Sequence, residues 1–187
     1  MTALLDVPEV RERLTRISVA DYHRHTEGQR TELLRGIVIK KMPSSPLQSF
    51  ITDELREILA AQIGTGFLAM HERPLTTLDS EPVPDVMVVR GARADFRSTH
   101  PSTAELVIEV AVSSLEIDRV KALIYAEAGV KEYWIVNPKE KQVEISRQPG
   151  EQGHAERMVV SAPAVVECGA LPGIRVDFGA LFPSEQN

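Results

Sequence analysis

Apolar residues in this chain fall into short runs and one clear helical stripe. Phe50, Ile51, Leu55, Ile58, Leu59 and Ile63 recur at helical spacing, which predicts a helix ending near Gly64 and Gly66. Upstream, Pro8 to Arg16 has a short amphipathic pattern. Ser18 reads as the N-cap of a second short helix that stops near Gly28. Thr31 to Arg35 and Ile37 to Lys41 flank Gly36, which predicts a β-hairpin or a strand with a glycine kink. Pro43-Ser44-Ser45-Pro46 is a loop. Phe67 to Met70 is a short strand, and Leu78 to Pro84 is rich in turn residues.

Two strongly apolar strands follow, Pro84 to Val89 and Glu105 to Ala111, separated by a polar stretch from Arg90 to Ser102. Ser113 and Glu116 have capping-box spacing, so a helix is expected to run to Ala128 with Gly129 at its C′ position. Val130 to Val136 is a strand, and Asn137 to Glu140 is a turn. Gln142 to Arg147 and Arg157 to Ser161 are strands around a turn from Pro149 to Gly153. The chain closes with apolar segments at Val176 to Phe178 and Ala180 to Phe182. Strands thus precede, separate and follow two helices, as in an α/β or α+β domain with a mixed sheet.

Two acids break the apolar strands. Side chains alternate along a strand, so Glu109 shares a face with Val107 and Ala111, and Asp85 with Met87 and Val89. Neither fits a polar outer face. Burying a carboxylate costs several kcal/mol unless a cation or hydrogen bonds compensate it. Two such acids on neighbouring strands predict a divalent metal site with Asp85 and Glu109 as ligands. On the next helix, Asp118 and Lys121 are i,i+3 neighbours and Lys121 and Tyr125 are i,i+4. Val120, Leu123 and Ile124 are expected to supply the apolar contacts, with Lys121 at their border and within reach of the acids. In this chemistry Mg²⁺ keeps several waters and accepts a phosphate oxygen, while Lys121 orients water or neutralises developing charge. Glu32 could complete the metal shell. Simpler roles fit the same residues: Asp85 capping a turn, Glu109 and Lys121 as a buried ion pair, Asp118 and Lys121 as a solvated helix pair.

The 187 residues suit one domain, and 43% hydrophobic content can build a core without disulfides. Cys168 is the only cysteine, which fits a reducing cytoplasm. The N-terminus lacks the basic start and apolar run of a signal peptide. No apolar run approaches the ~18 residues of a membrane-spanning helix. A formal charge of −6 argues against tight, sequence-blind nucleic-acid binding, though not against a nuclease whose acidic site holds a cation.

The string from Glu105 through Glu109 to Ser114, continued by Asp118, Lys121, Tyr125, Gly129, Glu132-Tyr133-Trp134 and Asn137-Pro138, closely resembles the Uma family of restriction-endonuclease-like proteins. That family lies in the PD-(D/E)xK nuclease superfamily. Further matches are Glu32 to Gly36, Pro43 to Pro46, Pro84-Asp85, Leu171 to Ile174 and Leu181-Phe182, so the resemblance covers nearly the whole chain. It implies a restriction-endonuclease-like core with a mixed central sheet flanked by helices, and a further β-hairpin region at the C-terminus. It divides one domain into N-terminal helices at about 8–28, a catalytic core at about 29–138 and C-terminal strands at about 139–187.

The resemblance also implies Mg²⁺-dependent phosphodiester hydrolysis, with Mn²⁺ as a substitute, acting on nucleic acid, DNA first. Asp85 and Glu109 match the metal-binding acids and Glu32 the additional N-terminal acid. The superfamily lysine normally sits two residues after the second acid, where this chain has Ala111; its counterpart here is Lys121. The chain departs from the pattern at Gln48, on the segment where many members carry histidine, and at Ile37, where many carry glutamate. The alternative is a nuclease fold without catalysis, serving as a binding or assembly module. RNA or a nucleotide is a third possible substrate. A soluble cytoplasmic homodimer is expected, because two-fold symmetry suits cutting both strands.

Other residues attract simpler readings. His23 and His25 at i,i+2 do not share a helix face, so zinc is not expected there. His71, His100 and His154 read as surface or loop residues, Trp134 as core packing beside Tyr133, Cys168 as structural, and Lys139 and Lys141 as a solvated turn. Arg90, Arg93 and Arg97 follow the Asp85 strand, where a loop can contact phosphate, although solvated loop charges are the favoured explanation.

Overall fold

The computed structural model describes residues 15–26 and 28–182. The helix expected over Pro8 to Arg16 lies outside them except for Thr15 and Arg16, which are not helical. Helix α1 (Val19–Thr26) begins after Ser18, whose Oγ accepts the Asp21 N–H as an N-cap does. Strands β1 (Thr31–Leu34) and β2 (Ile37–Lys40) then form an antiparallel hairpin. Arg35 and Gly36 turn it with φ of 54° and 77°, the positive pair that a two-residue type I′ turn requires. A Cβ on Gly36 would also stand 2.9 Å from the Cβ of Arg16. The hairpin, not the kinked strand, is what this glycine builds.

Helix α2 (Pro46–Gln62) starts where Ser45 accepts the Gln48 N–H and Pro46 occupies the first turn. Strands β3 (Phe67–His71), β4 (Val86–Arg90) and β5 (Leu106–Val110) follow, with a 3₁₀ turn at Arg93–Phe96 in the polar stretch. Helix α3 (Leu115–Glu127) crosses from β5 to its parallel neighbour β6 (Glu132–Asn137). Gly129 ends α3 with φ of 73°, and the Val130 and Gly129 N–H groups cap the Tyr125 and Ala126 carbonyls. Strands β7 (Gln142–Gly150) and β8 (Gly153–Ser161) complete one six-stranded sheet of order β3-β4-β5-β6-β7-β8. All its pairs are antiparallel except β5 with β6. Strands β9 (Val165–Glu167) and β10 (Arg175–Asp177) form a separate pair before helix α4 (Phe178–Leu181). This is the mixed sheet that the pattern predicts, flanked by helices and followed by a C-terminal strand pair as the resemblance implies.

The strand alternation sorts the core into two layers. Ile51, Leu55 and Leu59 of α2 pack with Leu106, Ile108, Val110 and Trp134 on one face, joined by Phe178 and Leu181. Ala122 and Tyr125 of α3 pack with Met87, Val107, Ala111 and Tyr133 on the other. Each fully buried large side chain contributes about 1.5–3 kcal/mol. Among the described residues no helix is long and apolar enough to cross a membrane.

Four expectations need correction. The N-cap of α3 is Ser114, not Ser113, and the capping box does not form. Glu116 instead pairs with Arg119 at the surface. On α3, Val120 and Leu123 are exposed and only Ile124 of the expected trio is buried, while Asp118 and Lys121 face inward. His154 is buried on β8, where its Nε2 bonds the Val130 carbonyl at 3.0 Å. Tyr133 and Trp134 pack on opposite faces of the sheet, as consecutive strand residues must.

Candidate active site

The antiparallel register aligns Val86 with Ile108 and Met87 with Val107, so Asp85 and Glu109 stand side by side one step further along. Both point into the α3-facing layer, and both are about 3% exposed. Asp85 is braced from three sides. Its Oδ2 accepts the Val110 N–H at 2.8 Å, the Gln48 amide donates to both oxygens at 3.2 and 3.3 Å, and Lys41 Nζ lies 3.6 Å from Oδ1. Burial raises its pKa to about 6, and the charge of Glu109 adds to this against the lowering effects of Lys41, Val110 and Gln48.

Lys121 sits at the centre of the remaining acids. Its Nζ donates to Glu109 Oε1 and to Glu32 Oε1, each at 3.0 Å, and lies 3.6 Å from Asp118 Oδ1. Burial alone would lower the pKa of this lysine; Glu109, Glu32 and Asp118 together outweigh that and hold it above the ordinary lysine range. Tyr125 Oη donates to Glu109 Oε1 at 2.8 Å, fixing that carboxylate from the helix side. Glu32 comes from the hairpin, and its Oε1 also accepts the Val83 N–H at 2.7 Å. The hairpin is docked by reciprocal backbone bonds between Leu33 and Glu81. Asp118 is held by Ser114 Oγ at 2.5 Å, and its pKa is raised by burial first and by Glu109 second.

The structure therefore brings Asp85, Glu109, Lys121 and Glu32 into one buried cluster. Asp118 and Lys41 also belong to it. The Asp118–Lys121 pair had a solvated reading, and what that missed is that Lys121 can reach Glu109 only if the whole charged edge of α3 turns inward. Lys41 gave no signal beyond its place at the end of β2. Ile37 lies at the turn end of the hairpin, two residues along β2 from Ile39, the partner of Glu32. Gln48 is a direct neighbour of Asp85. Arg90 is engaged by Glu105 and lies over the Phe67 ring, while Arg93 and Arg97 are exposed on the following loop. His23 pairs with Glu81, and His71 lies 3.8 Å from Asp53.

Four buried carboxylates here face two ammonium groups, which leaves an excess of negative charge. Hard oxygen donors with surplus charge suit a divalent cation of the Mg²⁺ class. Among the described residues no three His, Cys, Asp or Glu side chains form a ready ligand shell. Asp85 and Glu109 are the pair that could hold such a cation, with water supplying the rest of its shell.

A family model described as "Putative restriction endonuclease", Uma2, matches residues 19–179. The chain superimposes on the crystal structure of "a putative nuclease belonging to DUF820" from Anabaena variabilis ATCC 29413 with a TM-score of 0.74 and 20% identity. The match covers 89% of this chain and 97% of that one, and at that identity it establishes a common fold. No curated protein matches the sequence.

Proposed function

The chain belongs to the Uma2 family, and from that premise we propose that its buried acid–lysine cluster hydrolyses phosphodiester bonds in DNA with Mg²⁺, Mn²⁺ serving as a substitute. The observation that carries this reading is the surplus of buried carboxylate around one protonated lysine. A structural ion pair needs one partner per charge, whereas this cluster is left with unneutralised acids that a cation would satisfy.

Asp85 and Glu109 would hold the cation. When bound, it supplies charge stabilisation at the phosphate and makes water more acidic. The protein's own groups do the rest. In the reaction water adds to phosphorus and gives up a proton to solvent, the P–O bond to one sugar breaks, and the leaving oxygen takes a proton from solvent. Lys121 stays protonated throughout and places its positive charge where the extra negative charge develops. Glu32, anchored on Val83, and Tyr125 keep Lys121 and Glu109 in fixed orientations. Gln48 donates to Asp85 and orients it, but its amide cannot take or give a proton near neutral pH. We read 29–138 as the catalytic core within a single domain, and the protein as a cytoplasmic homodimer. The buried, unpaired Cys168 is consistent with a reducing compartment.

The test is nicking of supercoiled plasmid with Mg²⁺ or Mn²⁺, comparing wild type with Asp85→Ala purified identically. Loss of activity in the variant supports the assignment; equal activity in both assigns the nicking to a contaminant. The amide at Gln48 favours a second reading, a nuclease fold that binds without cutting. In that case calorimetric titration would detect neither Mg²⁺ nor Mn²⁺ at millimolar concentration.

A further inference from the structure

A concave site lies at the outer edge of the sheet, outside the buried cluster. It encloses about 400 Å³ beside β3, and Arg56, His71, Arg73, Arg93 and His100 line it. No acid is among its lining residues. In a chain with formal charge −6 such a concentration of cationic and imidazole groups is against the trend. Arg56 is shared with Glu57 and His71 with Asp53, but Arg73 and Arg93 have no ion-pair partner among the described residues and are exposed. Leu68, Met70 and Phe96 supply an apolar floor, each half-buried against the α3-facing core. Guanidinium groups above an aromatic and aliphatic floor suit a ligand with a phosphate on one side and a flat base on the other.

Its position ties it to the candidate active site. Strand β3 is the end strand of the sheet and pairs only with β4. His71 pairs with Val86, and the Glu72 N–H bonds the Asp85 carbonyl at 3.1 Å. One end of the pocket is thus a single strand spacing, about 4.8 Å, from the backbone of Val86, the residue after Asp85. From His71 to Leu68 it extends about 10 Å along β3 at roughly 3.3 Å per residue.

We propose that this pocket is a strand-anchoring subsite: it grips a backbone phosphate of the nucleic-acid substrate a few nucleotides from the bond to be cut, and seats the adjoining base on Phe96. The proposal rests on the nuclease reading for what enters the cluster, but the pocket's affinity needs no catalysis. It also answers how an acidic protein holds a polyanion, because the binding charge is collected on one edge.

The experiment measures fluorescence anisotropy of a labelled 20-nucleotide single-stranded DNA in EDTA, across a salt series. The proteins are the full chain and Arg73→Ser/Arg93→Ser, with Lys139→Ser as a charge control on the exposed turn after β6. Both pocket arginines are exposed, so thermal unfolding should be unchanged. The expected result is at least tenfold weaker binding for the double variant and a salt slope reduced by about two phosphate contacts' worth, with the control unchanged. Equal binding by wild type and the double variant overturns the subsite, as does a wild type that binds no DNA. Competition with dAMP distinguishes a strand from a free nucleotide: if dAMP binds as tightly as the oligonucleotide, strand anchoring is overturned. Plasmid nicking is read separately. Failure to nick with arginine-dependent binding intact sinks the nuclease reading and leaves the subsite standing; nicking with arginine-independent binding does the reverse.

Discussion

Lys121 and Asp85 feel the same cluster in opposite directions. Removing the ammonium by Lys121→Met leaves Glu32, Glu109 and Asp118 buried without it. Breaking a buried ion pair from one side costs roughly 3–5 kcal/mol, so urea unfolding in EDTA should shift by that order. Asp85 is on the costly side. Its pKa is raised from 3.8 to about 6, so the folded state holds its proton more tightly than the unfolded chain does. The associated stability is fully present below pH 3.8 and is lost as pH rises through about 6. At pH 8 the ionised group costs about 3 kcal/mol. Asp85→Asn in EDTA should therefore unfold at higher temperature than wild type at pH 8 and lose that advantage near pH 4. A variant less stable than wild type at pH 8 would mean that its carboxylate is already neutralised by Lys41 and Gln48. Both acids were legible in the sequence because a charge inside a β-branched run has no cheap explanation. Lys41 was not, because a lysine ending a strand is ordinary until the fold shows what stands opposite.

Helix α3 shows why periodicity misleads at the level of the element. Val120, Leu123 and Ile124 read as its apolar contacts, yet Val120 and Leu123 are 59% and 40% exposed and only Ile124 is buried. The inward face carries Asp118, Lys121, Ala122 and Tyr125. Hydrophobic spacing assumes that helices bury what water rejects; here the helix is oriented by what Asp85, just before β4, and Glu109 on β5 require. Val120→Gln should change stability by no more than about 0.5 kcal/mol, while Ile124→Ala should cost about 2–5 kcal/mol. The reverse ranking by chemical denaturation would overturn this orientation of the helix. Strand β8 carries a comparable surprise in His154, whose Nε2 bonds the Val130 carbonyl while its buried Nδ1 has no partner among the described residues. Burial holds its pKa below 6.5, with Arg157 adding to that against the Val130 bond. A depressed pKa means the unfolded chain takes the proton first, so stability is complete above pH 6.5 and falls as pH drops through that value. His154→Gln should flatten the fall in melting temperature between pH 7 and 5. A histidine near a turn signal looks like loop, and only the full length of the β7–β8 hairpin places it in the core.

At the scale of the whole molecule, sheet order and charge balance make a joint demand. The antiparallel pairing of β4 with β5, the β5–α3–β6 crossover and the docked β1–β2 hairpin deliver four carboxylates and two ammonium groups to one buried place. Mixed sheet and crossover helix were readable from strands separated by a capped helix; the hairpin's docking was not, because it depends on backbone bonds between Leu33 and Glu81, which no side-chain pattern encodes. A fold assembled around surplus negative charge should be stabilised by whatever neutralises it. A ligand that binds only the folded state adds about 2.7 kcal/mol at a hundred times its dissociation constant. For a chain of this size that is a rise of roughly 5–10 °C in melting temperature. Mg²⁺ and Mn²⁺ should therefore raise the melting temperature of wild type at pH 8, while NaCl of equal ionic strength should not. Glu109→Gln should abolish the rise and Gln48→Ala should leave most of it, since Gln48 touches the site only through Asp85. An equal rise in wild type and Glu109→Gln would place the responsive cation elsewhere, and the cluster would then be a structural ion network.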